Sequence, residues 1–298
     1  MIPVRCAMSA GDLDIDTAVV ADDQGRRWVV SAGADAASGA RLEQETVVLQ
    51  ALSGTELAPL VQSPLGFASL PEGGRAPIAL ALEGERVDPD MLNGNEQLIV
   101  SLGQTVAAVH NTPQWAIESA GVEEFTVAAI IERNRATIRR VREQRELPGA
   151  VLQRWLHLLD DTDLWNLTPR FIHGSLSEDT VLAVGNSVSG LLDFSQARVA
   201  DPAADVAWVL SCLEPEAFDT FFTAYTANLD VRPDARLVER AQLTGEFAVL
   251  EWVLSGLDTD DDSVVEDGMA MLQDVETDLA EMARHDAEEQ YDSLSSRD

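Results

Sequence analysis

The chain has 298 residues, 46% of them hydrophobic, enough to fill one large or two small cores. Its 52 acidic residues against 20 basic ones give a formal net charge of −32, which argues against nucleic acid or an anionic membrane surface as a partner. No apolar run is long enough to cross a bilayer, and Met1-Ile2-Pro3-Val4-Arg5 leads into no signal-peptide core, so the expected location is the cytoplasm.

Residues 1–34 read as short strands. Ala18-Val19-Val20 runs into the turn cluster Asp22-Asp23-Gln24-Gly25, and Arg27-Trp28-Val29-Val30 resumes the strand. A helix is predicted over 38–52, with Leu42, Val48, Leu49 and Leu52 near helical spacing. The run from Ala76 to Leu82 predicts another strand, leading to Glu83-Gly84-Glu85 as a crossing between lobes. Beyond it the pattern is helical. Leu98, Leu102, Val106 and Val109 share one face of a helix ending near His110. Further helices are predicted over 123–146 and 151–160, then over 236–257 and 264–283 after a stretch of loops and strands. From Arg284 the tail is polar and acidic and is expected to fray. Strands first, then helices around a small loop-bearing sheet, is an α+β, two-lobe pattern. The expected division is 1–84, a small β-rich lobe with one helix, and 85–298, a larger and mainly helical lobe.

All 20 basic residues are arginine, so any chemistry that needs a lysine must do without it. Cys6 and Cys212 are too few and too far apart for a disulfide framework or a zinc site, and read as reduced thiols. Arg133, Arg135, Arg139, Arg140, Arg142 and Arg145 crowd one predicted helix. With Glu124, Glu132, Glu143 and Glu146 interleaved, they read as a solvated face of intrahelical ion pairs. The acidic segment 258–263 lacks the Gly and terminal Glu of a calcium loop.

Three short motifs carry the most information: Phe171-Ile172-His173-Gly174-Ser175 with Thr180 five residues on, Leu191-Leu192-Asp193-Phe194, and Asp201-Pro202-Ala203-Ala204-Asp205. Their order and spacing resemble the catalytic and metal-binding loops of the aminoglycoside/macrolide phosphotransferase family, which has a bilobal protein-kinase-like fold. The family pattern is His-Gly-Asp, four variable residues, then Asn. Ser175 stands here in place of the Asp and Thr180 in place of the Asn.

The resemblance implies a role for each position. His173 would brace the loop. Ser175 holds the place of the catalytic Asp, where a neutral hydroxyl is not expected to orient or deprotonate an acceptor. Asp193 would hold the metal, and Thr180 would offer it a weak hydroxyl ligand. Ser31 stands where the family strand ends in its phosphate-holding Lys, and Glu45 is the counterpart of the helix Glu, with Glu43 as the alternative. Asp205 would brace the catalytic loop. Glu178 and Asp179 lie close to the lost Asp but at positions that point elsewhere. Only residues 1–26 precede Arg27, and no glycine-rich hairpin matches; Gly11 is the only glycine before Gly25, so a reduced upper wall is expected. The cofactor implied is Mg-ATP or Mg-GTP. The function implied is that of a degenerate, pseudokinase-like protein binding a small molecule in the interlobe cleft, or a partner, with a homodimer or protein partner open. An active ATP-dependent small-molecule phosphotransferase with rearranged groups is the alternative.

Overall fold

Two β-branched runs on either side of the 22–25 turn fold as an antiparallel hairpin, β2 (Ile15–Asp22) and β3 (Arg27–Gly33), with β1 (Pro3–Ser9) beside β2. The computed structural model describes residues 3–9, 14–71 and 73–295. Asp22 locks the turn. Its buried carboxylate accepts the N–H groups of Gln24 and Arg26, both at 2.9 Å, with Arg26 Nε at 2.8 Å and Trp28 Nε1 at 2.9 Å. Burial alone would raise its pKa; the bonds from Trp28, Arg26 and Gln24 outweigh that and hold it well below the usual carboxylate range.

Helix α1 (Ala36–Leu52) follows, started by a capping box in which Asp35 accepts the Ser38 N–H at 2.8 Å and the Ser38 hydroxyl accepts the Asp35 N–H at 3.0 Å. Strands β4 (Gly66–Ser69) and β5 (Arg75–Leu80) complete a five-stranded sheet of order β1-β2-β3-β5-β4, antiparallel throughout. The sheet thus has both strands ahead of β3, although few residues precede it. Residues 10–13, Gly11 among them, lie outside the described residues.

The chain continues through β6 (Glu85–Arg86), α2 (Pro89–Asn93), α3 (Glu96–His110), α4 (Gln114–Ala120), α5 (Val127–Arg142) and α6 (Gly149–Asp160). Then come β7 (Arg170–Ile172), β8 (Val181–Val184), β9 (Ser187–Leu191) and β10 (Arg198–Ala200). Four helices close it: α7 (Ala203–Cys212), α8 (Pro215–Asn228), α9 (Leu237–Asp258) and α10 (Asp262–Ser295). The helix expected over 123–146 is shorter at both ends. Residues 123–125 run beside β10 instead, Phe125 N–H donating to the Val199 carbonyl at 2.8 Å and Val199 N–H to that of Glu123 at 2.9 Å. Thr126 then caps α5. At the other end of the chain, α10 stays helical past Arg284 to Ser295.

By contact density the chain forms two compact units: Met1–Phe125 with Pro169–Pro233, and Thr126–Thr168 with Asp234–Asp298. The lobe junction expected near residue 84 lies inside the first unit. There Ser189 Oγ donates to the Glu83 carbonyl at 2.6 Å, and β6 pairs with β8 in the sheet β6-β8-β9. In the same unit α3 buries Leu98, Leu102, Val106 and Val109. Gly103 lets α8 approach α3: a Cβ there would run into the Phe221 carbonyl and the Tyr225 N–H. Phe218, Phe221, Phe222 and Tyr225 stack along α8.

The second unit joins α5, α6, α9 and α10 around Ile138, Val141, Trp155, Leu243 and Phe247, with the Trp155 and Phe247 rings stacked at 5.1 Å. The buried Arg240 guanidinium pairs with both Asp234 oxygens, at 2.7 and 2.9 Å, and donates to the Leu164 carbonyl at 3.0 Å. Four arginines of α5, and Arg145 just past its end, are ion-paired as expected, but mostly to other elements of this unit. Arg133 reaches Glu251, Arg135 reaches Asp160, Arg140 reaches Asp258 and Arg145 reaches Asp262; of these pairs among the described residues, Arg139–Glu132 is the intrahelical one. Long guanidinium arms on a packed helix find acids across the groove as readily as along their own turn.

Candidate active-site loops

All the candidate residues belong to the first unit. The loop after β7 is suspended from Asp205, in the first turn of α7. Asp205 Oδ2 accepts the His173 N–H and Oδ1 the Gly174 N–H, each at 2.8 Å. His110 Nε2, at the end of α3, lies 3.2 Å from Oδ2, and His110 Nδ1 lies 2.8 Å from the Tyr225 hydroxyl of α8. An ionised carboxylate can only accept, so His110 Nε2 donates to Asp205. Burial pushes the Asp205 carboxyl up, but the bond and charge of His110, with His173 and Gly174, prevail and hold it below the usual range. The bracing expected of Asp205 therefore reaches further than the sequence suggested, into α3 and α8. His110 and Tyr225 gave no motif; a polar residue on each of two apolar helix faces was the only signal.

Gly174 turns the loop at φ +82°, where a Cβ would collide with the Gln196 carbonyl. The turn brings Ser175 back over His173. His173 is fully buried, and its Nε2 donates to the Leu192 carbonyl at 2.9 Å, which leaves Nδ1 as an acceptor: it takes the Ser175 N–H at 3.4 Å and faces Ser175 Oγ at 3.3 Å. Burial pulls its pKa below the ordinary histidine value, against the opposing pull of Asp205 and the Leu192 carbonyl, so the ring is neutral near neutral pH. Ser175 Oγ also lies 2.9 Å from the Asp193 carbonyl, to which it donates. Thr180 is buried. Its Oγ1 accepts the Ser177 N–H at 2.9 Å and lies 3.2 Å from the carbonyls of Ser175 and Ser177, so its hydrogen-bonding capacity is spent inside the loop. Asp179 pairs with Arg86 on the surface, at 3.1 Å.

Asp193 sits in the left-handed region, φ +59° and ψ +70°, a conformation that Asp tolerates better than most side chains. Its carboxylate is exposed, with Oδ1 accepting the Ser195 N–H at 3.2 Å. The next residue, Phe194, is buried against the His173 ring, with centroids 4.4 Å apart, and gives its N–H to Glu45 Oε1 of α1 at 2.9 Å. Burial, and then the nearby Asp193 charge, push the Glu45 carboxyl up to about 7, against the bond from Phe194. Glu43 faces elsewhere, in a two-pronged pair with Arg75, both bonds at 2.8 Å. One hydrogen-bonded chain thus joins Glu45, the Asp193–Phe194 turn, Ser175, His173 and Thr180. Ser31 stands apart on β3, its hydroxyl 3.5 Å from that of Thr17 on β2.

Magnesium prefers oxygen ligands and is commonly held by one or two carboxylates plus phosphates and water. The exposed carboxylate of Asp193 fits that requirement; the enclosed hydroxyl of Thr180 does not. Among the described residues no three His, Cys, Asp or Glu side chains converge as a metal cage. The chain has no lysine, so no ammonium is available to clamp a phosphate. The donor set fits a hard cation on a single carboxylate and lacks the lysine clamp of a polyphosphate. Among the described residues no helix is long and apolar enough to cross a membrane.

A model of the phosphotransferase enzyme family matches residues 10–243. Among solved structures, the apoenzyme of macrolide 2'-phosphotransferase MphH from Brachybacterium faecium superposes with a TM-score of 0.76 at 22% identity, over 90% of this chain and 91% of that one. A macrolide 2'-phosphotransferase type I gives a TM-score of 0.73 at 25% identity over 91% of both chains. The GDP complex of wild-type aminoglycoside 2'-phosphotransferase-IIIa gives 0.74 at 18% identity, over 92% of this chain and 93% of that one. In sequence, the uncharacterized protein YcbJ of Bacillus subtilis (strain 168) is 24% identical over 200 residues, a match spanning 65% of this chain and 65% of YcbJ. The small antiparallel sheet followed by a mostly helical remainder is the kinase-like fold of these structures.

Proposed function

Since the chain belongs to the phosphotransferase enzyme family, we propose that it is a degenerate member, one that binds a ligand beside Asp193 without efficient phosphoryl transfer to a small-molecule acceptor. The observation that carries this reading is Ser175. Transfer to a bound hydroxyl relies on a loop carboxylate to take its proton, and a neutral side chain stands in that place, in a chain with no lysine to hold the phosphates. Loss of a general base alone costs about 10²–10⁴-fold in rate. Relatives have been solved with GDP and kanamycin and with gentamicin. A nucleotide or a small cationic sugar is accordingly the ligand class to try first, and the acidic surroundings favour a cation.

The test is a thermal titration with ATP, GTP and ADP, with and without Mg²⁺, alongside a search for phosphorylated aminoglycoside or macrolide. Ligand binding to the native state raises the melting temperature by an amount that grows with the logarithm of ligand concentration over Kd. Expected is a weak, Mg²⁺-dependent nucleotide shift that Asp193→Ala removes, with no phosphorylated antibiotic. Robust turnover would refute the reading.

One observation favours the alternative, an active transferase with rearranged groups. Glu45 still holds the Phe194 N–H and Asp205 still holds the loop, so the frame around Asp193 is in place. Turnover that Asp193→Ala abolishes would decide for it.

A further inference from the structure

A hydroxyl is a poor base, but it is a competent nucleophile when its proton has somewhere to go. We propose that Ser175 is an activated nucleophile that accepts a phosphoryl group onto its own Oγ. The geometry has the three parts such a group needs: a nucleophile, a base within reach, and a third group that orients the base. Ser175 Oγ lies 3.3 Å from His173 Nδ1. The Leu192 carbonyl accepts from Nε2–H at 2.9 Å, and so fixes the tautomer whose Nδ1 lone pair faces the serine, where it also accepts the Ser175 N–H at 3.4 Å. The imidazole cannot turn away, because it is fully buried and packed on Phe194.

The serine is held as firmly as the base. Its carbonyl lies 3.2 Å from Thr180 Oγ1, and the two N–H groups before it are anchored on Asp205. The other contact of Oγ is the Asp193 carbonyl at 2.9 Å, which holds the resting hydroxyl's one proton; rotation about Cβ–Oγ turns that proton to His173 Nδ1. That contact sets the hydroxyl beside the carboxylate most suited to a metal-bound phosphate, at the spot where a carboxylate would otherwise receive an acceptor's proton. Oγ attacks phosphorus and forms the O–P bond. The bond from phosphorus to the leaving oxygen of a phosphoric anhydride breaks, its electron pair leaves with that oxygen, and the Oγ proton passes to His173 Nδ1. Transfer then ends on the protein. The choice of a nucleoside triphosphate as the anhydride rests on the nucleotide reading above; the nucleophile itself does not.

An alkyl fluorophosphonate tests the nucleophile without any nucleotide. Oγ bonds to phosphorus, the P–F bond breaks, fluoride departs and the proton goes to His173. The native chain is expected to react at Ser175 at least about 100-fold faster than the urea-unfolded chain, the usual scale of base assistance. The adduct should map to the peptide carrying Ser175 and disappear in Ser175→Ala, which keeps the loop's backbone anchors and should melt near the parent temperature. Native labelling no faster than in urea, or an adduct elsewhere, overturns the proposal. In parallel, the chain is incubated with Mg-ATP and its intact mass followed for the gain of one phosphoryl group at Ser175. Nucleotide binding without that gain overturns the transfer and leaves the nucleotide reading standing. Fluorophosphonate reaction at Ser175 without nucleotide binding supports the nucleophile and sinks the nucleotide reading.

Discussion

Replacing Asp205 by Ala removes the acceptor shared by two loops and a helix. Three buried donors lose their partner: the N–H groups of His173 and Gly174, each at 2.8 Å, and His110 Nε2 at 3.2 Å. An unsatisfied buried donor costs about 1–3 kcal/mol. The three donors are not independent, because His110 can shift its proton toward Tyr225. We therefore expect a loss toward the lower end of their sum, about 3–5 kcal/mol, a large share of the roughly 5–15 kcal/mol that holds a domain together. Asp205→Asn keeps one acceptor oxygen but sets an amide against an N–H, and should lose about half as much. Urea denaturation followed by far-UV circular dichroism reads both losses as shifts in midpoint at constant slope. The carboxyl also has a pH signature. Its folded pKa lies below the unfolded value, so the unfolded chain binds that proton more readily. The stabilisation is present above the ordinary carboxylate range, near ~4, and is lost as pH falls below it. The Asn variant should lack that acid-sensitive component. An Ala variant within about 1 kcal/mol of the parent would refute the bracing argument.

Glu45 predicts the opposite slope. A carboxyl raised to about 7 binds its proton more tightly folded than unfolded, so stability should decline as pH rises from the ordinary carboxylate range through neutrality. Glu45→Gln should flatten the urea midpoint across that window, and an unchanged pH profile would count against the buried placement of the carboxyl. Gly174→Ala combines left-handed strain, about 1–2 kcal/mol, with a collision at the Gln196 carbonyl. Its melting temperature should drop clearly, and a neutral result would mean that the loop has room the structure does not show.

The loops were legible because their identity lies in contiguous residues. His173-Gly174, Asp193-Phe194 and Asp201 to Asp205 each signal a turn whose chemistry is local. The long helices were legible for a similar reason, since periodic apolar faces such as Leu243, Phe247, Leu250 and Leu254 survive without knowledge of their partners. Strand β4 was not, because four residues carry no period and its pairing with β5 depends on a turn. Helix α8 mixes threonine with aromatics and gave no clear stripe. The link from His110 to Asp205 and Tyr225 spans 95 and 115 residues of sequence, and nothing local announces it. The contact of Ser175 with His173 spans only two residues, yet it exists because Gly174 adopts a positive φ and Leu192 fixes the ring. No composition or spacing rule expresses that.

The interleaving of the two units bears on how the chain assembles as it is made. Helices α5 and α6 are synthesised before the second half of their own unit, so Ile138, Val141, Val151 and Trp155 emerge with their apolar faces bare. Leu243 and Phe247 follow almost a hundred residues later, roughly 5–20 seconds of bacterial-speed translation. The first unit waits as well, for 169–233 to deliver the loops that Asp205 anchors. Throughout that interval the charges between the apolar stripes repel one another. A lysine-free, strongly acidic sequence, self-repelling between its apolar stripes, is well suited to remain dispersed until its partners arrive.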